Sequence, residues 1–258
     1  MTTRPGRVSI VGAGPGDPEL LTVRAAQRIA EADDLVVDAL VPPAVYCDSR
    51  ARVVYVGKRA GRPHVSQEEI NAILVELARA GRTIVRLKGG DPGLFGRAAE
   101  EIDALDEAGV PWELVPGVSS ALAAPSAAGV PVTERGVAEQ LLVATGHRHR
   151  DHPQPVPVLP PFVEDRTVVL LMGLGTLPEL VAGALANGYP ADLPAAVVSQ
   201  ASWATQRVVA CPLAVLAERV AEAGLEAPAT VVLGRVARRA ERFAAARNAT
   251  DRIAAPQR

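Results

Sequence analysis

The chain has 258 residues, 48% apolar and 22% charged, which excludes disorder as its main state and leaves room for two domains of ~130 residues each. Lys and Arg number 27 against 29 Asp and Glu, a net charge of −2, so no global basic surface suits a nucleic-acid coat or a membrane-surface binder. Two cysteines, Cys47 and Cys211, supply neither a disulfide framework nor a structural zinc site, and no membrane-spanning apolar run or signal-peptide core is present, so a soluble cytoplasmic protein is expected.

Residues 8–13 form a short apolar strand that runs into glycines. Leu20, Leu21, Val23, Ala26 and Ala30 line one face of a helix. Residues 35–39 and 52–56 are rich in β-branched side chains and read as strands. Ser66 and Glu69 make a capping box, after which Ile70, Ile73, Leu74 and Leu77 recur at helical spacing. A strand at 83–87, a helix over 97–108 and a strand at 112–115 follow, the last stopped by Pro116 and Gly117. The pattern then restarts, with strands at 140–144, 167–171, 195–199 and 230–234 and helices near 176–187 and 213–223. Such alternation predicts sheets of parallel strands covered by helices. The boundary falls near Pro116–Ser120, giving domains at 1–117 and 118–258. Residues 147–164 are proline-rich and read as a loop, and a short helix with a frayed end is expected past Arg235.

Several segments have the composition of a site. GAGPGDP (12–18) follows a strand, but a dinucleotide fingerprint needs glycine where Asp17 stands, which argues against an NAD-dependent oxidoreductase; no Gly-Lys-Ser/Thr follows, so it is no phosphate-binding P-loop either. A stiff strand-to-helix turn explains it equally well. Asp38 ends a strand, the position of a ligand crevice in an open α/β sheet and equally of a turn former. The only two lysines, Lys58 and Lys88, fall in the glycine-marked segments GKRAG and KGGDP, as though a compact ammonium rather than a guanidinium fork were wanted there. Residues 58–97 hold eight Lys and Arg against four Asp and Glu; this local excess suits a polyanion pocket or a solvated basic face. Ser119 and Ser120 either cap a helix or face a cleft between domains, and Met172 at a strand end is core or ligand contact. The histidines at 147, 149 and 152 have few acidic neighbours, and no metal site is expected.

Taken in order, GAGPGDPELLTVRA, VVDALV, VGKRAG, QEEIN, VRLKGGDPGLFGRAAEE, VPGVSSALAAPSAAGVPVT, TGH, LMGL and PATVVLGRV resemble the tetrapyrrole methylases over residues 7–236. GKRAG with KGGDP, FGR and TGH points to the branch acting on uroporphyrinogen III, although Val41-Pro42-Pro43 is reminiscent of the branch acting on a later, precorrin-4-type precursor. The resemblance implies two α/β domains with a cofactor cleft between them and a homodimer. It implies transfer of methyl groups from S-adenosylmethionine to C2 and C7 of a small-molecule tetrapyrrole, giving precorrin-2 for sirohaem or cobalamin synthesis and releasing S-adenosylhomocysteine. It makes Asp38 the candidate proton acceptor and Lys58 the candidate proton donor. Cofactor contacts carry over to Pro15, Gly89, Gly90, Asp91, Leu94, Ser119, Ser120, Met172, Ala201 and Ala229; for a substrate with many carboxylates, the local cation excess makes Lys58, Arg59, Arg62 and Arg97 the expected carboxylate contacts. The chain departs from the family pattern at Ala98-Ala99, where paired glycines are common, at Glu134, where His is usual, and at Ala201-Ser202.

Overall fold

The computed structural model describes residues 6–57, 65–147, 154, 156–241 and 243. The chain divides into two units, Met1–Ser119 and Ser120–Arg258.

The first unit is built on five strands, β1 (Arg7–Gly12), β2 (Asp34–Val37), β3 (Arg52–Tyr55), β4 (Thr83–Lys88) and β5 (Trp112–Val115), in the order β3-β2-β4-β1-β5. All four neighbouring pairs are parallel, so every carboxyl end lies on one edge. The apolar runs of β1, β2 and β4 are continuous because both faces are covered. Val8, Ile10, Val36 and Ile84 meet Ile70, Leu74 and Ala78 of α2 (Gln67–Arg79) and Ala98 and Leu105 of α3 (Ala98–Glu107). On the other face Val11, Leu35, Val37, Val85 and Leu87 meet Ala25 and Ile29 of α1 (Val23–Glu31). The helix starts are set locally: Thr22 caps α1, and at α2 the Ser66 hydroxyl accepts from Glu69 N–H (3.1 Å) while Glu69 Oε2 accepts from Ser66 N–H (2.6 Å).

Asp34, fully buried at the start of β2, accepts from Arg52 Nε and Arg82 Nε, each at 2.6 Å. Burial alone would raise its pKa, but the bonds from Arg82 and Arg52 outweigh it and hold the carboxyl below its ordinary value. A carboxylate held low in the folded state stabilises above the ordinary carboxylate range and loses that contribution as pH falls through the lowered pKa. Asp34→Asn is expected to cost about 1–2 kcal/mol at neutral pH, limited by the partly exposed arginines. In urea unfolding the gap to wild type should close as pH falls through the lowered Asp34 pKa, below the ordinary carboxylate range; a gap that persists in strong acid would show that the loss is packing, not charge.

The second unit has β6 (Gln140–Thr145), β7 (Arg166–Leu171), β8 (Pro194–Ser199), β9 (Arg207–Pro212) and β10 (Ala229–Leu233) in the order β6-β7-β10-β8-β9. Here the expectation of parallel strands is corrected: only β6 and β7 run parallel, and β10 is antiparallel to both neighbours. β9, not expected from the sequence, returns antiparallel along β8, because the connection at 200–206 is too short for a parallel crossover, which takes a dozen residues or more. Leu177, Leu180, Val181 and Ala184 of α5 (Leu177–Ala186) and Leu216 and Val220 of α6 (Leu216–Glu222) bury one face with Val168, Leu170, Val197, Val231 and Leu233. The Ala-rich α4 (Ser120–Ala127) packs against β7, β8 and β10. Among the described residues no helix is long and apolar enough to cross a membrane.

Candidate active site

Parallel strand direction brings GAGPGDP, Asp38 and KGGDP to one edge of the first sheet. The strand order reverses its direction of winding at β1 and β4, where an open α/β sheet leaves a crevice. There the loops after β1 and β4 pair. Gly14 N–H donates to Gly90 carbonyl at 3.2 Å and Gly90 N–H to Gly14 carbonyl at 2.7 Å, while Ala13 N–H donates to Lys88 carbonyl at 2.7 Å. Gly90 has φ +67° and Gly14 +69°, values that L side chains rarely adopt. A Cβ on Gly117, in the loop after β5, would stand 2.3 Å from the Gly90 carbonyl oxygen, so three chains approach where no side chain fits. Asp91 fastens the arrangement: Oδ1 accepts from Gly93 N–H (2.8 Å) and Oδ2 from Gly117 N–H (3.0 Å). Pro15 is buried beside this junction, and Gly89, Gly90, Asp91 and Leu94 are partly open.

Asp38, directly after β2, sits at the same edge with its side chain 30% exposed. Its Oδ1 accepts from Arg86 Nη2 at 2.7 Å, and Lys88 Nζ lies 4.0 Å from Oδ2. Ile84, Arg86 and Lys88 share one face of β4, the face covered by α3. There Glu101 Oε1 accepts from Arg86 Nε (2.9 Å), Lys88 Nζ (2.7 Å) and Gln67 Nε2 (3.3 Å). Arg86, Lys88 and Glu101 are all buried. Burial first, and then the neighbouring Arg86 charge, lowers the Lys88 pKa; Glu101 and Asp38 act against this. Of these three buried groups the sequence had marked only Lys88, through the scarcity of lysine. Arg86 and Glu101 had a readable signal too: each is a charge at an inward position, one in the strand TIVRL and one on the Ala98–Leu105 stripe of α3.

The described part of the basic stretch 58–97 is not a free basic face. Arg82 pairs with Asp34, Arg86 with Asp38 and Glu101, Lys88 with Glu101, and Arg97 with Glu100 at 2.7 and 2.6 Å. The partners lie far away in sequence or one helical turn on, which a local charge count misses. Arg97 remains half-exposed beside Phe95, and both have left-handed backbones (φ +57° and +55°). Lys58, Arg59 and Arg62 lie outside the described residues, as does most of the histidine-rich stretch. Among the described residues no group of His, Cys, Asp and Glu could hold a metal ion.

The second unit gathers its own candidates. Antiparallel pairing places the start of β10 beside the ends of β7 and β8, with Thr230 opposite Leu171 and Ala229 opposite Ser199. Met172, Ala201 and Ala229 therefore share one sheet edge with Thr145, Gly146 and His147 after β6. Met172 has φ +58° and is 52% exposed, and the residues flanking Ala201, Gln200 and Ser202, have φ +49° and +68°. Left-handed non-glycine residues at successive strand ends are costly, and such strain concentrates at functional sites. Gln206 holds the second corner: its Oε1 accepts from Ser202 N–H (2.8 Å) and its Nε2 donates to Ala127 carbonyl (3.1 Å). Glu134, at the position where the resemblance led to His, makes a two-point pair with Arg239 at 2.9 and 2.7 Å. Ser119 ends the first unit, and Ser120 is the first residue of α4.

The sequence profile of the tetrapyrrole (corrin/porphyrin) methylases matches residues 7–217. The chain belongs to this family. A siroheme synthase of Halorhodospira halophila is 47% identical over 89% of the chain, which spans 48% of that protein's length; the chain thus spans about half the length of the siroheme synthases it matches. The uroporphyrinogen-III C-methyltransferase of Methanocaldococcus jannaschii is 42% identical over 90% of the chain and is covered to 96% of its own length. A crystal structure of Thermus thermophilus uroporphyrin-III C-methyl transferase complexed with S-adenosylhomocysteine superposes with a TM-score of 0.76 at 41% identity, over 90% of this chain and 99% of that one. Gly14, Gly90 and Gly117 leave this edge free of side chains, which fits a cradle for a nucleoside cofactor.

Proposed function

We propose that the chain is an S-adenosylmethionine-dependent C-methyltransferase that methylates C2 and C7 of uroporphyrinogen III to precorrin-2. The observation that carries this is the meeting, on one edge of a parallel sheet, of the paired Gly14 and Gly90 loops with the carboxylate of Asp38. It is supported by 42% identity to a methyltransferase of that name covered over nearly its whole length.

Pro15, Gly89, Gly90, Asp91, Leu94 and Ser119 in the first unit, and Ser120, Met172, Ala201 and Ala229 in the second, are the residues assigned to the cofactor. Bound S-adenosylmethionine supplies an electrophilic sulfonium methyl, and the pyrrole carbons are nucleophilic without metal assistance. The protein is left to align the two and exclude water. Loss of a bridging-carbon proton must follow carbon methylation, and Asp38 is the group proposed to take it or to offset the ring's positive charge. Lys58 is the proposed proton donor. With Arg97 engaged by Glu100, substrate carboxylates are assigned chiefly to Arg59 and Arg62, in a stretch (58–64) that carries three cations and no carboxylate. On this reading the chain acts as a cytoplasmic homodimer, and its product feeds sirohaem or cobalamin synthesis.

The test is release of S-adenosylhomocysteine by the purified protein. It is expected to require uroporphyrinogen III and to be unchanged by EDTA. Activity that disappears with EDTA and returns with a divalent cation would overturn the metal-independent mechanism.

A further inference from the structure

Arg86, Lys88, Glu101 and Asp38 form one connected charge cluster of two cations and two carboxylates, anchored on β2, β4 and α3. Side-chain exposure is 2%, 5% and 0% for Arg86, Lys88 and Glu101, against 30% for Asp38. The cluster therefore opens outward at a single group. Buried ion pairs are poor stabilisers compared with apolar packing, so a four-charge cluster under a candidate site calls for a role beyond stability. Glu101 is its hub, since Oε1 takes donors from both cations and from Gln67. Among the described residues Glu101 Oε2 is buried with no hydrogen-bond partner. All the bonding is thus concentrated on the oxygen that faces Arg86 and Lys88.

We propose that Glu101 is a positioning residue: it fixes Arg86 and Lys88 so that both face Asp38, and its negative charge keeps the cluster neutral around that carboxylate. The inference deepens the proposed function, resting on Asp38 as the proton acceptor, but it concerns how Asp38 is held and tuned. Among the described residues the cations within 4.0 Å of Asp38 are Arg86 and Lys88 from β4, with Glu101 from α3 behind them; Gln67 of α2 donates to Glu101, and Arg97, paired with Glu100 and coupled to Glu68 of α2, acts on Glu101 from farther off. Coulomb's law then gives opposite signs for two variants. Glu101→Gln leaves two cations against Asp38 alone, which favours its ionised form and makes it a weaker base. Lys88→Gln removes one cation and does the reverse. Glu101→Gln combined with Lys88→Gln restores neutrality.

The experiment is carbon NMR titration of the free protein labelled at the aspartate carboxyl carbons, with the Asp38 signal assigned by its loss in Asp38→Asn. The midpoint is expected to fall by at least ~0.5 pH in Glu101→Gln, to rise by a similar amount in Lys88→Gln, and to return near wild type in the double variant. In the methylation assay kcat should fall roughly tenfold or more in Glu101→Gln, its acidic limb moving to lower pH, with cofactor Kd little changed. A purely structural role predicts lower melting temperatures, additive losses in the double variant and an unmoved Asp38 midpoint; that result overturns the proposal. If Glu101→Gln does not fold, the midpoints of Lys88→Gln and the double variant decide. If Asp38→Asn keeps full kcat while the midpoints still move, the assignment of Asp38 has failed and the positioning stands.

Discussion

Replacing Asp38 by Asn is expected to lower kcat by two orders of magnitude or more while S-adenosylmethionine binds within a few-fold of wild type, the scale of a lost general base. The shape is almost unchanged, and the side-chain oxygen can still accept from Arg86 Nη2, which now stands 2.7 Å from Asp38 Oδ1. What is lost is a negative charge at the one cluster member open to solvent. The substitution leaves buried Arg86 and Lys88 opposed only by Glu101, so some melting temperature is expected to go with it. Melts and cofactor titrations therefore accompany the kinetics. A folded variant with normal cofactor Kd and depressed kcat assigns Asp38 to the chemistry. A folded variant with near-normal kcat would reduce Asp38 to an anchor for Arg86.

Gly90→Val should act on binding instead, raising the S-adenosylmethionine Kd at least tenfold. At φ +67° a β-branched residue is strained, at ~1–2 kcal/mol for the left-handed backbone alone. Its side chain would also rise from a loop whose N–H and carbonyl are both bonded to Gly14. Strain is separated from site by Gly109→Val. Gly109 has φ +65°, follows α3 toward the opposite edge of the sheet, and has nothing within 4 Å of an added Cβ. Both variants should lose comparable stability, and only Gly90→Val should lose the cofactor. Equal binding by the two would remove Gly90 from the cofactor site.

The first sheet was legible in the sequence because strands buried on both faces spell themselves as continuous apolar runs between helix signals. The second sheet was misread for the same reason. The apolar runs of β7, β8 and β10 are the same whether a neighbour runs parallel or antiparallel, and nothing local in β10 states that it enters between β7 and β8 in reverse. β9 is a half-buried edge strand closed by Pro212, so its pattern is weak. At the site, glycine loops and Asp38 were visible as motifs, since backbone constraints are written in consecutive residues. The Arg86, Lys88 and Glu101 cluster was not, because it depends on β4 and α3 being packed together. The basic stretch was over-read, since Asp34 and Asp38, which neutralise Arg82 and Arg86, come tens of residues earlier.

The positions that receive the methyl groups decide whether the chain is a uroporphyrinogen-III C-methyltransferase. Purified protein is incubated without oxygen with uroporphyrinogen III and S-adenosylmethionine deuterated at its methyl group, and the tetrapyrrole is analysed by mass spectrometry and carbon NMR. The expected result is two labelled methyl groups per tetrapyrrole, on C2 and C7, matched by two S-adenosylhomocysteines. Label on no carbon of uroporphyrinogen III, or methylation only of a more advanced corrin precursor, would contradict it.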